Sequence, residues 1–413
     1  MNATHAEGRR HFEILDGLRG IAASAVVLLH LNETFHWTHA HTPIVFGHAY
    51  LAVEFFILLM GYVLGLAYDR RWEGGLTAGA FCRRRLARLH PFVILGTVLG
   101  LLVYWGTGGY PHAFGDLAKL SGWSFAGVVA CACALVPVAG FGPINPFNGC
   151  SWTLFYEYVG NFLYAVFVRR FSRTVLVAAT VVSFVLLGCL VLRINLNGLF
   201  DLAWLHFPLF DELAARKGYT LVGGISMSAA NFWVGCMRLA FPFLAGLLIS
   251  RLGWKIRLPR GVAAPLCFIA LTAIFLIPEG YRVGDKVAAW RLGTPETAWL
   301  NGVVELLAVG LALPLILMVG AGSEVKGARA GRLCLWAGAL SYPLYMTHYP
   351  FIDWQMYVCW KVFDWKAWSV GAMCAWAAAQ FAFAVGVAYL AKRWFDDPIQ
   401  QWLKGSSNKG RSA

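Results

Sequence analysis

Apolar runs of bilayer length recur along the whole chain, and that pattern decides the fold class. Candidate helices fall at 18–34, 50–68, 91–107, 122–139, 152–168, 174–192, 232–251, 262–278, 299–319, 333–352 and 368–390. Each approaches the roughly 20 residues that an α-helix needs to cross a bilayer. The ~10-residue alternating segments of a membrane β-barrel are absent. Hydrophobic residues make up 59% of the 413 and charged ones 13%. Soluble domains hold about 45–50% and about 25%. A water-soluble globule, a disordered chain and a collagen-like fibre are therefore excluded, and the expected fold is an all-α polytopic membrane bundle.

The net charge of +13 sits mainly in short loops between apolar runs, where it sets topology rather than binding nucleic acid. If all eleven runs cross, the loop lysines and arginines divide evenly between the two sides. If 122–139 does not cross, 23 lie on one side and nine on the other. The positive-inside rule selects the second arrangement. It has ten spans, both termini cytoplasmic, and 122–151 as a re-entrant or outer-face element. The Ala- and Cys-rich 122–139 and the uncharged Gly142-Pro-Ile-Asn-Pro146 that follows suit that assignment. The expected organisation is one membrane domain over 1–400 and a solvated cytoplasmic tail over 401–413. Arg9 and Arg10 precede the first run, but Asp16 and Arg19 interrupt its start, so no cleaved signal is expected. The ten cysteines include no Cys-x-x-Cys pair. They read as small core residues, and no metal is expected.

Ionisable groups inside spans are costly and therefore candidates for function. In the first span Asp16 and Arg19 lie near the cytoplasmic start, with His30 eleven residues further on. Eleven residues rise about 16 Å and turn through three turns plus about 20°, so Arg19 and His30 share a face. Before the third span, Arg83, Arg84, Arg85 and Arg88 offer guanidinium forks suited to phosphates, or a positive-inside anchor. Glu157 lies about one and a half turns into the fourth span and needs an arginine or histidine partner. Ser341, Tyr345 and His348 stand at i, i+4 and i+7 on one helix face. Glu54, Arg238 and Glu305 are further in-span charges that can complete a buried polar network.

These clusters, in this order, resemble the acyltransferase-three family of integral-membrane O-acyltransferases, which modify bacterial surface glycans. The opening Leu15-Asp-Gly-Leu-Arg-Gly20 leads to His30. Val53-Glu54-Phe55-Phe56 leads to Gly61-Tyr62. Arg85 and Arg88 match a basic pair, and Trp152-Thr153-Leu154 with Glu157 match a Trp-Ser-Leu-x-x-Glu element. Ser341, Tyr342, Tyr345, His348 and Pro350 match a late motif, and Asp396-Asp397-Pro398 loosely matches a final one. Departures are Glu54 for Asp, Met60 for Ser and Thr153 for Ser.

The resemblance implies transfer of an acyl group, most simply acetyl, from acyl-CoA to a hydroxyl of a cell-surface glycan or lipid-linked saccharide. The setting would be the bacterial inner membrane, amid membrane lipids. Arg19, Arg85 and Arg88 would bind the donor phosphates. His30 would act as general base or carry the acyl group covalently. Asp16 or Glu157 would orient its imidazole. Tyr345, Ser341 or His348 would polarise the carbonyl, while Trp152, Ser341 and Tyr345 would contact substrate. The rival reading is a proton-coupled transporter or channel.

Overall fold

The computed structural model describes residues 12–36, 46–109, 124–138, 144–196, 219–277, 282–283, 286–287, 299–363 and 368–402. Among them the eleven apolar runs become eleven helices. These are α1 (Glu13–His36), α2 (Ala52–Glu73), α3 (Ala78–Gly106), α4 (Phe125–Ala134), α5 (Trp152–Val166) and α6 (Arg173–Leu192). There follow α7 (Ala229–Leu252), α8 (Ala263–Leu276), α9 (Trp299–Gly322, with a π-helical stretch inside), α10 (Ala328–Tyr357) and α11 (Val370–Ala391). The only strands described are the two-residue pair Arg282–Val283 and Lys286–Val287.

Seven helices (α1, α2, α3, α6, α7, α9 and α11) are long and apolar enough to cross a membrane. Three more coincide with expected spans. α5 and α8 have 15 and 14 residues, and the 30-residue α10 is made less apolar by its arginines, Ser341, His348 and Asp353. α4 has only ten residues, about 15 Å of helix, which is too short to cross. It ends at Leu135 in the left-handed region (φ 55°). Residues 139–143 and the tail 403–413 lie outside the described residues.

Caps appear where the sequence supplies them. Thr77, Ser124, Ser172 and Ser369 accept backbone N–H groups at the starts of α3, α4, α6 and α11. Val175, Val181, Val182, Phe184 and Val185 of α6 stand exposed. Such a face is untenable in water and natural against lipid.

Close packing of small residues holds the centre. α1 lies along α10, and a Cβ on Gly338 would fall 2.6 Å from the Asp16 Cβ, while one on Gly20 would fall 2.5 Å from that of Ala337. In lipid, helix association depends on such close approach rather than on hydrophobic burial. This contact sets α1 and α10 near enough for side chains about three turns later to meet.

Prolines inside helices also create attachment points. Pro350 has no N–H, so the Met346 carbonyl lacks its helical partner. Asn148 donates to it instead, at 2.8 Å. Asn145 in turn donates to Thr97 (3.0 Å), and its side-chain oxygen accepts from the backbone N–H of Phe147 and Asn148. The non-helical segment 144–148 is thus buried and held by the side chains of Asn145 and Asn148. It delivers the 3₁₀ turn Gly149–Ser151 to the bundle interior, just ahead of α5. Irregular backbone at membrane depth is tolerated under such conditions.

Candidate active site

His30 of α1 and His348 of α10 meet in the interior. The His30 Nδ1 lies 3.0 Å from the His348 Nε2, and the rings stack with centroids 5.3 Å apart and planes within 9°. The other ring nitrogen of His348, Nδ1, is 3.0 Å from the Leu344 carbonyl. A carbonyl only accepts, so His348 carries its hydrogen on Nδ1 and presents a lone pair at Nε2. His30 must then donate from Nδ1, which leaves the lone pair of the neutral His30 ring on Nε2. The network therefore fixes both tautomers and prepares His30 Nε2 to take a proton.

Cys150, from the turn before α5, completes the cluster. Its Sγ is 3.6 Å from the His348 Nε2 and 3.9 Å from the His30 Nδ1. The Tyr349 ring meets His30 edge-on at 5.1 Å.

A cavity of about 180 Å³ lies toward the start of α1, lined by Arg19, Arg85, Arg88, Glu157, Thr153, Phe56, Ser341, Tyr342 and Tyr345. Tyr345 belongs to both regions. It lines the cavity, contacts Phe56 edge-on at 5.8 Å, and its ring lies 6.0 Å from that of His348. Basic side chains thus line the same cavity as Tyr345, whose ring stands next to that of His348.

Not every arginine there is equally available. Arg85 donates to Glu157 at 2.6 Å and to Asn161 at 2.9 Å, which supplies the partner that Glu157 requires. Arg19 is joined to Asp16 at 3.3 Å, while Arg88 adds a further cation to the wall.

The expectation that Asp16 or Glu157 orients the His30 imidazole is corrected by these pairings. Both carboxylates are engaged a long way down the helices by arginines, and His348 occupies the orienting position. Ser341 donates to the Gly338 carbonyl at 2.8 Å while lining the cavity.

Trp152 stands apart from the cavity, its ring 4.9 Å from the Arg238 guanidinium. That arginine grips Glu54 through Nε and, at 3.0 Å, through Nη2. It also donates to the carbonyls of Gly223 (2.9 Å) and Tyr50 (3.2 Å). Glu305 accepts from the Tyr50 hydroxyl, from Asn301 (2.9 Å) and from the Leu221 N–H (2.6 Å). The in-span charges therefore do form a connected polar network, beside the histidines rather than among them. Sequence reasoning missed Cys150, which it placed with the core cysteines, and Asp69, which holds Arg251 at 2.8 and 3.2 Å.

The pattern that defines the acyltransferase domain family matches residues 12–394. The chain is also similar to a Rhizobium radiobacter protein described as "Protein 2 in picA locus". The two are 35% identical over 183 residues, 41% of this chain and 89% of that relative. No solved structure matches the chain. The protein belongs to the acyltransferase-three family. It is a membrane acyltransferase, an enzyme rather than the transporter or channel that its in-span charges alone would have allowed.

Proposed function

We infer that the enzyme transfers an acyl group, most simply acetyl, from acyl-CoA to a hydroxyl of a cell-surface glycan or lipid-linked saccharide. The observation that carries this reading is the His30–His348 contact with His348 committed to Leu344. Such a pair is suited to deprotonating a hydroxyl next to an acyl thioester.

In this mechanism Arg88 and Arg19 bind donor phosphates at the basic end of the cavity, and Arg85 shapes that end through Glu157. The thiol arm of the donor runs along the cavity toward Tyr345, bringing its carbonyl to the histidines. His30 Nε2 takes the proton of the acceptor hydroxyl as that oxygen attacks the thioester carbonyl. The bond to the CoA sulfur breaks, and the CoA thiolate leaves with the proton delivered by His30. The developing imidazolium is steadied through Nδ1–H by His348, whose orientation Leu344 maintains. Tyr345 is the hydroxyl best sited to donate to the carbonyl oxygen, whose charge grows in the transition state. Trp152, against Arg238, is assigned to the acceptor side.

The corresponding setting is the bacterial inner membrane with both termini cytoplasmic. The charge asymmetry between loops supports it, and so does the position of Arg19, Arg85 and Arg88 at the end where α1 begins. The decisive experiment supplies acetyl-CoA to inverted membranes containing the protein or its His30→Ala variant. Free CoA thiol and O-acetyl groups on extracted glycans and glycolipids are then measured. Thiol release and glycan acetylation that both need His30 support the reading. Neither appearing in wild-type membranes given native glycolipid would sink it.

A further inference from the structure

We propose that His30, Cys150 and His348 form a binding site for a single thiophilic divalent cation of the zinc type. The three side chains come from α1, the turn before α5 and α10, and their ligand atoms all lie within 4.8 Å of one another. The separations are 3.0 Å between nitrogens and 3.6 and 3.9 Å from nitrogen to sulfur. With Zn–N bonds of about 2.0–2.1 Å and Zn–S of about 2.3 Å, tetrahedral ligand atoms stand roughly 3.3–3.6 Å apart. The observed triangle brackets that spacing, so a cation fits with side-chain shifts of a few tenths of an ångström.

The surroundings suit ligation. His348 donates Nδ1–H to the Leu344 carbonyl at 3.0 Å. A metal-bound histidine commonly makes this outer bond, which aims Nε2 inward. Cys150 is buried and free of any disulfide. Its carbonyl accepts from Thr153 (3.1 Å) while Asn148 anchors the turn to Met346. Both bonds hold the sulfur in place.

Binding requires no redox change. The Cys150 S–H bond is lost to the cation and its proton goes to solvent. The His30 hydrogen moves from Nδ1 to Nε2, and three protein ligands leave a fourth position for water. His30 then has no lone pair on Nε2. On the acyl-transfer reading, on which this clause alone rests, the cation switches the enzyme off.

The test uses the full-length protein in detergent, stripped with chelator and titrated with Co²⁺ and then Zn²⁺. One cobalt per chain is expected, with tetrahedral visible bands and a near-ultraviolet sulfur-to-cobalt band, both erased by Zn²⁺. Cys150→Ser should lose the sulfur band and bind zinc about 10–100-fold more weakly. In the wild type, zinc should slow alkylation of Cys150, read by peptide mass spectrometry, without slowing that of buried Cys267. Failure of zinc to protect Cys150, or an unchanged cobalt spectrum in Cys150→Ser, overturns the proposal whether or not that variant is active. Conversely, a metal-free enzyme that binds cobalt as expected but transfers no acyl group would refute the acyl-transfer mechanism and leave the metal site standing.

Discussion

Arg238 and Glu54 face each other in a two-point ion pair from which solvent is excluded, with side-chain exposures of 2% and 0%. α7 supplies the cation and α2 the anion, so the pair joins two central helices. Removing one member leaves an unpaired buried charge, which costs about 3–5 kcal/mol, whereas replacing both with apolar groups of similar size is often near neutral. Arg238→Ala and Glu54→Ala should each lower the melting temperature and yield of the purified protein. The double variant Arg238→Met, Glu54→Leu should recover much of the loss. A double variant that loses as much as the two singles together would show that the charges act independently.

His30→Ala should reduce acyl transfer by about 10²–10⁴-fold, the usual contribution of a positioned base. Protein level and donor binding should change little. A two- or threefold fall would remove His30 from the chemistry.

His348 acts on His30 through an acceptor nitrogen, and that predicts a graded series. His348→Gln can return an oxygen near the Nε2 position and accept from the His30 Nδ1. It should therefore keep more activity than His348→Ala. Indistinguishable kcat values for the two would show that the orienting hydrogen bond is not what His348 supplies.

The arginines should separate in kinetics. Arg88→Gln should raise KM for acyl-CoA, and the effect should shrink at high salt as screening weakens the wild-type interaction. Arg85→Gln should destabilise the fold as well, because Glu157 would lose the guanidinium 2.6 Å away. Thermal unfolding and initial rates measured on the same preparations decide this. If Arg85→Gln shifts KM alone, its pairing with Glu157 is dispensable.

The α1–α10 contact leaves no room for a side chain at Gly338. Gly338→Val should push the helices apart and separate the histidines, lowering kcat more than it lowers the melting temperature. An active, stable Gly338→Val enzyme would mean that the helices meet less closely than described. Topology is testable in the same way. Single cysteines in place of Arg170 and Lys255 should react only from the cytoplasmic side, and one in place of Asn195 only from outside.

Much of this architecture was legible because lipid imposes a simple rule: a helix must be long and apolar to cross. The eleven runs and the exclusion of α4 from the crossing set follow from length, charge and that rule. Asp16, Arg19 and Glu157 were also visible as in-span charges, and Glu157 as one in need of an arginine or histidine partner. What the sequence could not display was partnership. Asp16 and Glu157 looked able to reach His30, but the pitch of α1 and α5 holds them beside Arg19 and Arg85. Cys150 resembled nine other cysteines because its partners are 120 and 198 positions away. No local spacing encodes such contacts. The Asn148–Met346 bond, set up by Pro350, helps to hold the turn carrying Cys150 against α10.

The histidine pair is contributed by the first span and by one of the last, 318 positions apart. A ribosome threading this chain into the bilayer delivers Arg19, Arg85 and Arg88 long before α10 emerges. Until α10 has docked on α1, the nascent protein has one histidine without its orienting neighbour. An incomplete or truncated chain without α10 therefore lacks the His348 nitrogen that sets the His30 tautomer.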